Sequence, residues 1–193
     1  MKKTTRCFTL LVSTICVLSL LCAAQSRRDL RDKPEKLMDI VGVKPGMIIG
    51  EAGAGDGYLS FHLSRRVGAG GRVYANDINR RALQRLNDRC EREGVTNITT
   101  VTGKIADPLY PVNDLDMIVM IYAFHDFTEK TEWLRNAKKY IKPSAPVVIF
   151  DDQDSHTKLS KEYVATLADD AGYNLTHFEK FHNGLYIYIL HLK

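Results

Sequence analysis

The sequence predicts an α/β protein built on a doubly wound, mostly parallel β-sheet that ends in an antiparallel hairpin. Short apolar runs alternate with segments of helical periodicity through most of the chain, as in sheets whose parallel strands are joined by helices. The last two apolar runs are instead joined through Asn183-Gly184, a dipeptide typical of tight hairpin turns. A glycine-rich turn follows the first strand, at the end where such sheets bind ligands.

The predicted strands are short apolar runs bounded by turn residues. The first five lie at 47–51, 73–76, 98–101, 115–122 and 146–150, and the hairpin occupies 175–181 and 185–192. The fourth is strongly apolar, as expected for a strand that helices cover on both faces. Connections that contain helices favour parallel pairing, and the hairpin adds an antiparallel edge.

The helices are predicted from apolar residues that recur at intervals of three or four. They lie at 37–41, 58–67, 80–93, 128–141 and 159–171. In the helix at 80–93, the apolar residues Ala82, Leu83 and Leu86 share one face, and Gly94 marks its end.

The first 24 residues have the three parts of a secretory signal peptide. Residues 1–6 carry three basic side chains, residues 7–21 are apolar apart from small hydroxyl residues, and small residues at Cys22 and Ala24 suit cleavage after Ala24. The prediction is an exported protein, periplasmic or extracellular, which is anchored in the membrane if this segment is retained. A polar lead-in is predicted at 25–36 and one domain at 37–193.

Length and charge limit the classes of function. The 193 residues are enough for one medium domain and too few for two. Residues 1–24 hold three basic and no acidic residues, so their removal lowers the formal net charge from +4 to +1. Such a weak charge predicts no nucleic-acid partner. Cys90 is the one cysteine left after that cleavage, so no internal disulfide is expected.

A glycine-rich stretch, GEAGAGDGY at 50–58, follows the first strand and opens a helix. Gly53, Gly55 and Gly57 have no side chains, so a ligand can approach the backbone closely, and amides at a helix N-terminus favour negative charge. Tyr58 stands where the dinucleotide-binding motif has its third glycine, and no Gly-Lys-Ser/Thr follows. These departures disfavour a nicotinamide oxidoreductase and a phosphate-binding loop. A tight turn without a ligand is the structural alternative.

Acidic residues end the first two strands. Glu51 closes the first strand beside the glycines, and Asp77 closes the second, 24 residues after Gly53. An acid at the second position accepts hydrogen bonds from ribose hydroxyls, whereas an acid at the first suits a ligand with an ammonium or sulfonium group. S-adenosylmethionine carries both of these cations, a ribose and an adenine, so this pair of acids favours it as the cofactor.

In these features the chain resembles the class I S-adenosylmethionine-dependent methyltransferases. The resemblance spans residues 37–193 and is carried by IIGEAGAGDGYLSFHLSRRVGAGGRVYANDI at 48–78, GKIADP at 103–108, DLDMIVMIYAFHDF at 114–127 and YIKPSAPVVIF at 140–150. It implies a Rossmann-like sheet of seven strands whose last strand is antiparallel. It also implies methyl transfer from S-adenosyl-L-methionine, here to an acceptor expected to be a small molecule.

The resemblance assigns cofactor binding to eight residues: Glu51, Gly53, Gly55, Gly57, Asp77, Ile78, Asp107 and Tyr122. Glu51 would lie near the ammonium of the cofactor. Asp77 would hold the ribose hydroxyls, and Ile78 would pack on the adenine. Asp107 would face the adenine amine, with a turn or cap role before Pro108 as the alternative.

His125 is the candidate catalytic residue. Methyl transfer mainly requires orientation of the reacting groups, and it needs a base only when the acceptor is protonated. The segment 122–127 leaves the fourth strand at the ligand-facing edge, which brings His125 and Asp126 within reach of an acceptor. The alternatives are a His125 that holds the loop and an Asp126 that caps the next helix.

A second acidic cluster follows the fifth strand at 151–156. Some small-molecule O-methyltransferases hold magnesium in this region, and oxygen ligands suit that cation. A solvated loop that begins a helix is preferred, and no metal site is predicted. The alternative function is a non-catalytic cofactor-binding module of the same fold, since an exported protein lies outside the compartment that makes the methyl donor.

Overall fold

A computed structural model describes residues 27–153, 159–182 and 184–193 of the chain. The chain divides into two compact units, Met1–Leu37 and Met38–Lys193. In the described part of the first unit, residues 27–32 are helical, and the Asp32 carboxylate accepts hydrogen bonds from Arg28 at 3.2 Å and Arg31 at 2.6 Å. The predicted signal peptide and its cleavage site lie outside the described residues.

Seven strands form one sheet over the residues that the structure describes. They are β1 (Ile48–Ala52), β2 (Arg72–Asp77), β3 (Ile98–Thr102), β4 (Met117–Ile121), β5 (Val147–Asp152), β6 (Tyr173–His182) and β7 (Leu185–Leu192). Their order is β3-β2-β1-β4-β5-β7-β6. The first five pair in parallel, and β7 is antiparallel to both of its neighbours. The predicted Rossmann-like sheet with a C-terminal antiparallel hairpin is confirmed.

The helices are α1 (Pro34–Ile40), α2 (Tyr58–Val67), α3 (Arg80–Glu93), α4 (Lys130–Ala137) and α5 (Lys161–Ala171). Local sequence signals set the ends of α3. The Asn79 side chain accepts hydrogen bonds from the amides of Arg81 and Ala82, and Gly94 ends the helix in the left-handed conformation. The predictions for α2 and α3 are confirmed residue for residue.

The predicted helix at 128–141 is shorter in the structure. It divides into α4 and a 3-10 turn at Lys138–Tyr140, and another 3-10 turn at Phe124–Asp126 precedes it. Glu129 occupies the N-cap position of α4, and no side chain caps this helix, so the cap considered for Asp126 is wrong. The chain between β4 and α4 instead forms a wall at the carboxyl edge of the sheet.

The core of the second unit lies on both faces of the sheet. All five residues of β4 are buried, as expected for a parallel strand at the sheet centre. Trp133 and Leu134 of α4 belong to the larger core cluster, and Phe61 and Leu86 belong to a smaller one. This packing leaves the carboxyl ends of the parallel strands at one edge, where the loops with the candidate residues meet. No helix within the described ranges has the length and apolarity needed to cross a membrane.

Candidate active site

A cavity of about 350 Å³ opens at the carboxyl edge of the sheet, and its size is that of small-ligand sites. We call it the edge cavity. Its walls come from the loop after β1, the end of β2, the loop after β3 and the segment between β4 and α4. Among its lining residues are Gly53, Asp77, Ile78, Lys104, Ile105 and Tyr122. Four of the predicted cofactor-binding residues therefore meet in one cavity.

Gly53 brings the loop after β1 against the segment after β4. A Cβ at this position would lie 2.4 Å from the Cβ of Ala123, and the backbone φ of +71° favours glycine. Gly57 instead makes room for α3, because a Cβ there would lie 2.3 Å from a methyl carbon of Leu86. Gly55 has open space at the corresponding point. Gly53 thus lines the cavity and Gly57 serves packing, while the ligand contact of Gly55 stays a prediction.

Asp77 links two loops of the cavity wall. One carboxylate oxygen accepts a hydrogen bond from the Gly55 amide at 2.8 Å, and the other accepts one from the Asn79 amide at 2.8 Å. Each carboxylate oxygen has a second lone pair, so both can accept a further hydrogen bond. The position of this side chain in the cavity wall suits the predicted contact with ribose hydroxyls.

Glu51 ends in the protein interior. Its side chain is buried, and the Ser60 hydroxyl of α2 donates a hydrogen bond to its carboxylate. Burial places the pKa of the Tyr110 hydroxyl well above its usual value, and the nearby charge of Glu51 raises it further. The predicted proximity of Glu51 to the cofactor ammonium stays a prediction.

Two exposed isoleucines stand on separate loops of the cavity wall. Ile78 is 60% exposed and Ile105 is 56% exposed, and both line the edge cavity. Large apolar side chains in such positions suit a flat heterocycle such as a purine. The Asn76 side chain fixes the loop that carries Ile105, because its amide donates to the carbonyls of Val101 at 3.2 Å and Pro108 at 2.6 Å.

The carboxylate of Asp107 is hydrogen-bonded to neighbouring residues of the protein. It accepts hydrogen bonds from Lys139 and Tyr140, both at 2.7 Å, and from the Leu109 amide at 3.0 Å. Burial alone would raise the pKa of this carboxyl, but these hydrogen bonds outweigh burial and lower the pKa. The geometry supports the turn role that was the alternative for Asp107, and its contact with the adenine amine stays a prediction.

Tyr122 has a backbone conformation that few residues with side chains adopt. Its φ is +49°, and its ring lies edge-to-face with Phe150, with 6.4 Å between ring centroids. Such a conformation costs about 1 kcal/mol or more and is concentrated at functional sites. Since Tyr122 lines the edge cavity, the strain occurs where β4 turns into the cavity wall.

His125 and Asp151 form a hydrogen-bonded pair across the ends of β4 and β5. The His125 Nδ1 atom lies 2.9 Å and 3.1 Å from the two Asp151 oxygens, and the His125 amide donates to the same carboxylate at 3.2 Å. An ionised carboxylate only accepts, so Nδ1 carries the hydrogen and Nε2 of the neutral ring has a lone pair. His125 lies in the chain between Ala123 and Asp126, which both line the edge cavity.

Asp151 is fully buried, which corrects its assignment to a solvated loop. Burial raises the pKa of its carboxyl, while the charge and hydrogen bonds of His125 act in the opposite direction. The signal that could have identified it is an acid that ends a strand at the same edge as His125. Residues 154–158 of this region lie outside the described residues, and the described side chains contain no cluster of metal-binding groups.

Lys130 holds the 3-10 turn that carries His125. Its ammonium donates hydrogen bonds to the carbonyl of His125 at 2.9 Å and to the carbonyl of Phe127. Burial lowers the pKa of Lys130, against the opposing effect of Asp126 and Asp151. The Asp126 side chain is 82% exposed, and one of its oxygens lies 3.5 Å from Nε2 of His125. The base candidate is thus held by Asp151 and Lys130, and its Nε2 atom faces the exposed carboxylate of Asp126.

The sequence matches proteins of one functional class. The family model described as a methyltransferase domain matches residues 49–144. A ubiquinone/menaquinone biosynthesis C-methyltransferase of Hydrogenovibrio crunogenus is 25% identical over 139 residues, which are 72% of this chain and 53% of that protein. The corresponding protein of Idiomarina loihiensis is 30% identical over 115 residues, 59% of this chain and 46% of that protein. The chain spans about half the length of these relatives.

Solved structures share the fold. A SAM-dependent methyltransferase from Aquifex aeolicus superposes with a TM-score of 0.79 and 26% identity, over 86% of this chain and 92% of that one. A SAM-dependent O-methyltransferase from Thermotoga maritima has a TM-score of 0.63 and 12% identity, over 83% of this chain and 65% of that one. The second likeness concerns the fold alone.

The seven-stranded sheet and the glycine loop beside an acid-lined cavity define a Rossmann-like ligand-binding protein. The chain belongs to the class I S-adenosylmethionine-dependent methyltransferases. The cofactor of this enzyme family is S-adenosyl-L-methionine, and the residues of the edge cavity fit it. Asp77 offers lone pairs for the ribose, the isoleucines offer a slot for the base, and the missing side chain at Gly53 permits close approach.

Proposed function

We propose that this chain transfers the methyl group of S-adenosyl-L-methionine to a small molecule, with His125 as the general base. The observation that carries the proposal is the His125–Asp151 pair, with His125 placed in the chain between Ala123 and Asp126, which line the edge cavity. A buried carboxylate that holds a histidine by Nδ1 directs Nε2 away from itself, and an acceptor would take the place of the exposed Asp126 oxygen that lies 3.5 Å from Nε2. A carboxylate–histidine pair of this kind serves proton removal in many enzymes.

The chain's own residues would hold the cofactor at three points. Asp77 would accept hydrogen bonds from the ribose of the cofactor. Ile78 and Ile105 would enclose its adenine ring, and the backbone around Gly53 would lie along its methionine part. When bound, the cofactor supplies an electrophilic methyl group on a sulfonium. The protein contributes mainly the orientation of the acceptor towards that group.

His125 would accept the proton that the acceptor loses. Nε2 of His125 would take the proton from the acceptor atom that receives the methyl group. The imidazolium that forms is stabilised by the Asp151 carboxylate on its other nitrogen. This role fits acceptors that are protonated before the reaction, such as a phenol, another hydroxyl, or a carbon acid.

The acceptor is proposed as a small molecule because of the charge of the chain and the names of its relatives. The formal net charge of +4 includes three basic residues of the first 24. This charge gives no strong field for nucleic acid. The relatives in Hydrogenovibrio and Idiomarina are named as C-methyltransferases of quinone biosynthesis, so quinol-like rings belong in an acceptor screen.

Ligand binding tests the cofactor site first. Thermal unfolding of the full chain would be followed with S-adenosylhomocysteine at a hundred times its dissociation constant, which should add about 2.7 kcal/mol or about 5–10 °C. Asp77→Ala should reduce the shift to about half or less, because a 10- to 100-fold weaker affinity leaves about 0.4–1.4 kcal/mol at the same ligand concentration. Asp56→Ala is the matched control, because Asp56 is an exposed acid in the same glycine loop. A folded protein with no shift would contradict the proposal.

Measurements of turnover test the role of His125 as the general base. Radiolabelled methyl donor would be incubated with a panel of phenols, quinols, alcohols and amines, and product formation would be compared between wild type and His125→Ala. Ligand binding without turnover on any acceptor would favour the non-catalytic module.

We also propose that residues 1–24 are a signal peptide and that the domain acts outside the cytoplasm. The proposal rests on the order of basic, apolar and small residues at the N-terminus. Cell fractionation followed by N-terminal sequencing tests it. A mature protein that begins at Gln25 is expected, membrane-bound full-length protein would indicate a retained anchor, and an intact cytoplasmic protein would contradict export.

A further inference from the structure

Lys104 is the one cation among the described residues that line the edge cavity. It lies in the loop after β3, directly before Ile105. The loop is closed by its backbone, since the Lys104 amide donates to the Asp107 carbonyl at 2.7 Å and the Asp107 amide donates to the Lys104 carbonyl at 3.3 Å. Lys104 therefore lies in the cavity wall, while the Asp107 carboxylate is bonded to Lys139 and Tyr140.

The Lys104 ammonium has no hydrogen-bond or ion-pair partner among the described side chains, in contrast to other charged groups in this region. Lys139 and Lys142 pair with Asp107 and Asp116, and Lys130 is bonded to two carbonyls. A lysine without a partner in a ligand cavity is free to pair with the ligand.

The acidic groups nearby lie elsewhere than on the loop after β3 or are directed at other partners: Asp77 and Asp126 line the edge cavity from the ends of β2 and β4, and the free lone pairs of Asp77 are assigned to the ribose. Asp77 accepts hydrogen bonds from two backbone amides, and Asp126 lies 3.5 Å from Nε2 of His125. Asp107 is bonded to Lys139 and Tyr140. The loop beside the base slot of Ile78 and Ile105 therefore presents a donor to the cavity and no carboxylate that could accept from an amine.

Purines differ at position 6, where adenine carries a hydrogen-bond donor and a 6-oxo purine carries an acceptor. A lysine ammonium has three donors and no acceptor. Adenine presents an amino donor at position 6 beside the acceptor N7, whereas a 6-oxo purine presents two acceptors, O6 and N7, and pairs better with a cation. An ammonium at this edge consequently disfavours the amino group and favours an oxo group.

We propose that Lys104 sets the base selectivity of the cofactor site, so that the site binds a 6-oxo purine nucleoside thioether at least as tightly as the 6-amino form. The inference rests on the cofactor site described under the proposed function. It deepens that function, because it names a class of ligand, the hypoxanthine analogue of the cofactor product, that a carboxylate at this edge would reject.

Calorimetric titration of the full chain with two ligands tests the proposal. The ligands are S-adenosylhomocysteine and S-inosylhomocysteine, which differ only at the purine edge. In the wild type we expect the inosyl ligand to bind about equally or up to about fivefold tighter, a small preference because Lys104 is exposed. Lys104→Glu introduces an acceptor and should reverse the order, with the adenosyl ligand about fivefold tighter or more.

A charge-matched control separates a local contact from a change in overall charge. Lys44 is an exposed lysine before β1, at the opposite edge of the sheet. Lys44→Glu should leave the ratio of the two dissociation constants at its wild-type value, while Lys104→Ala should move the ratio towards the adenosyl ligand.

The outcomes distinguish this inference from the proposed function. Wild-type protein that binds the adenosyl ligand but binds the inosyl ligand more than about twofold weaker would overturn the role of Lys104. An unchanged ratio in both Lys104 variants would do the same. Folded protein that binds neither ligand would remove the cofactor site itself, and the inference would fall with it.

Discussion

Asp77 and Asp151 end strands at the same edge of the sheet, but their surroundings differ. Asp77 is partly exposed and accepts hydrogen bonds from the backbone amides of Gly55 and Asn79. Asp151 is fully buried and holds the imidazole ring of His125. The first arrangement fixes a carboxylate and keeps lone pairs for the proposed ribose contact, whereas the second fixes the tautomer of His125, the proposed base. The comparison underlies our proposal that the surroundings of a carboxyl group decide whether it binds a ligand or assists proton transfer.

The strongest test of this division is His125→Ala. If the Asp151 end serves proton transfer, the turnover number should fall by about 10²- to 10⁴-fold on an acceptor that needs a base. The affinity for S-adenosylhomocysteine should stay within about twofold, because His125 lies outside the proposed contacts with the cofactor. Single-turnover methyl transfer and calorimetric binding measure the two quantities. His177→Ala, an exposed histidine on β6, is the control for histidine removal.

A loss of ligand affinity equal to the loss of turnover would contradict the division between the two ends. It would mean that His125 holds the cofactor rather than the proton. An unchanged turnover number would instead indicate an acceptor that is already deprotonated at the working pH.

Asp77→Ala tests the proposed contact between Asp77 and the ribose of the cofactor. Hydrogen bonds to a charged group contribute about 1.5–3 kcal/mol each, so the affinity for S-adenosylhomocysteine should fall by about 10- to 100-fold. Calorimetric titration measures this loss, with Asp56→Ala as the matched control. Equal losses in the two variants would show that the loop charge matters and the Asp77 position does not.

The position of Asp77 at the edge of the sheet could be predicted from the sequence, because the features that indicate it lie close together in the chain. A glycine loop and the acid that ends the next strand lie within one strand-helix-strand unit, and parallel pairing of β1 with β2 brings them to one edge. The apolar periodicity of α2 and α3 was equally local, and both helices have the predicted limits. Strand ends differed by a residue or two, because the hydrogen-bond ladders of β2, β3, β5 and β6 continue past the apolar run, whereas that of β4 stops within it.

The contact between His125 and Asp151 could not be predicted from the sequence, because it depends on which strands are neighbours in the sheet. His125 and Asp151 are 26 residues apart, and their contact follows from the pairing of β4 with β5. The loop after β3 shows a further limit of sequence patterns. The contact of Asp107 with the adenine stays a prediction, whereas the position of Lys104 in the cavity wall follows from backbone hydrogen bonds that close the turn and that no motif indicates.

Asp151→Asn should separate stability from turnover. Burial raises the pKa of the Asp151 carboxyl in the folded protein, so its ionisation favours the unfolded chain. The penalty is absent below the usual carboxyl pKa, grows as the pH rises above that value, and is complete above the raised folded pKa. We expect the variant to have a Tm about 2–4 °C higher at pH 7 and an equal Tm near pH 3.5, with a much lower turnover number.

Calorimetric scans across this pH range check the sign. A variant less stable at every pH would mean that the hydrogen bonds to His125 outweigh the burial of the charge. The neighbouring Asp152→Asn, at a partly exposed position of β5, controls for the general effect of removing an acid from this strand end.

The smallest expected effect concerns two buried tyrosines, Tyr110 against β1 and Tyr173 against α4. The Tyr110 ring occupies the space beside Gly50 of β1, and its hydroxyl is the one buried side-chain polar atom in the described residues without a hydrogen-bond partner. The Tyr173 hydroxyl donates to the Leu134 carbonyl of α4 at 3.1 Å. Tyr110→Phe should therefore raise the free energy of unfolding by about 1 kcal/mol, and Tyr173→Phe should lower it by about 1 kcal/mol.

Urea unfolding of both variants, with unchanged slopes, measures the two differences. Opposite signs would show that the core below β1 contains a polar group that the fold does not need, whereas the core below α4 uses its hydroxyl to anchor a helix. Two losses of similar size would indicate that Tyr110 binds an ordered water, since a buried water contributes hydrogen bonds that phenylalanine cannot make. The hydroxyl beside Glu51 would then belong to the polar structure at the Asp77 end rather than to the apolar core beneath it.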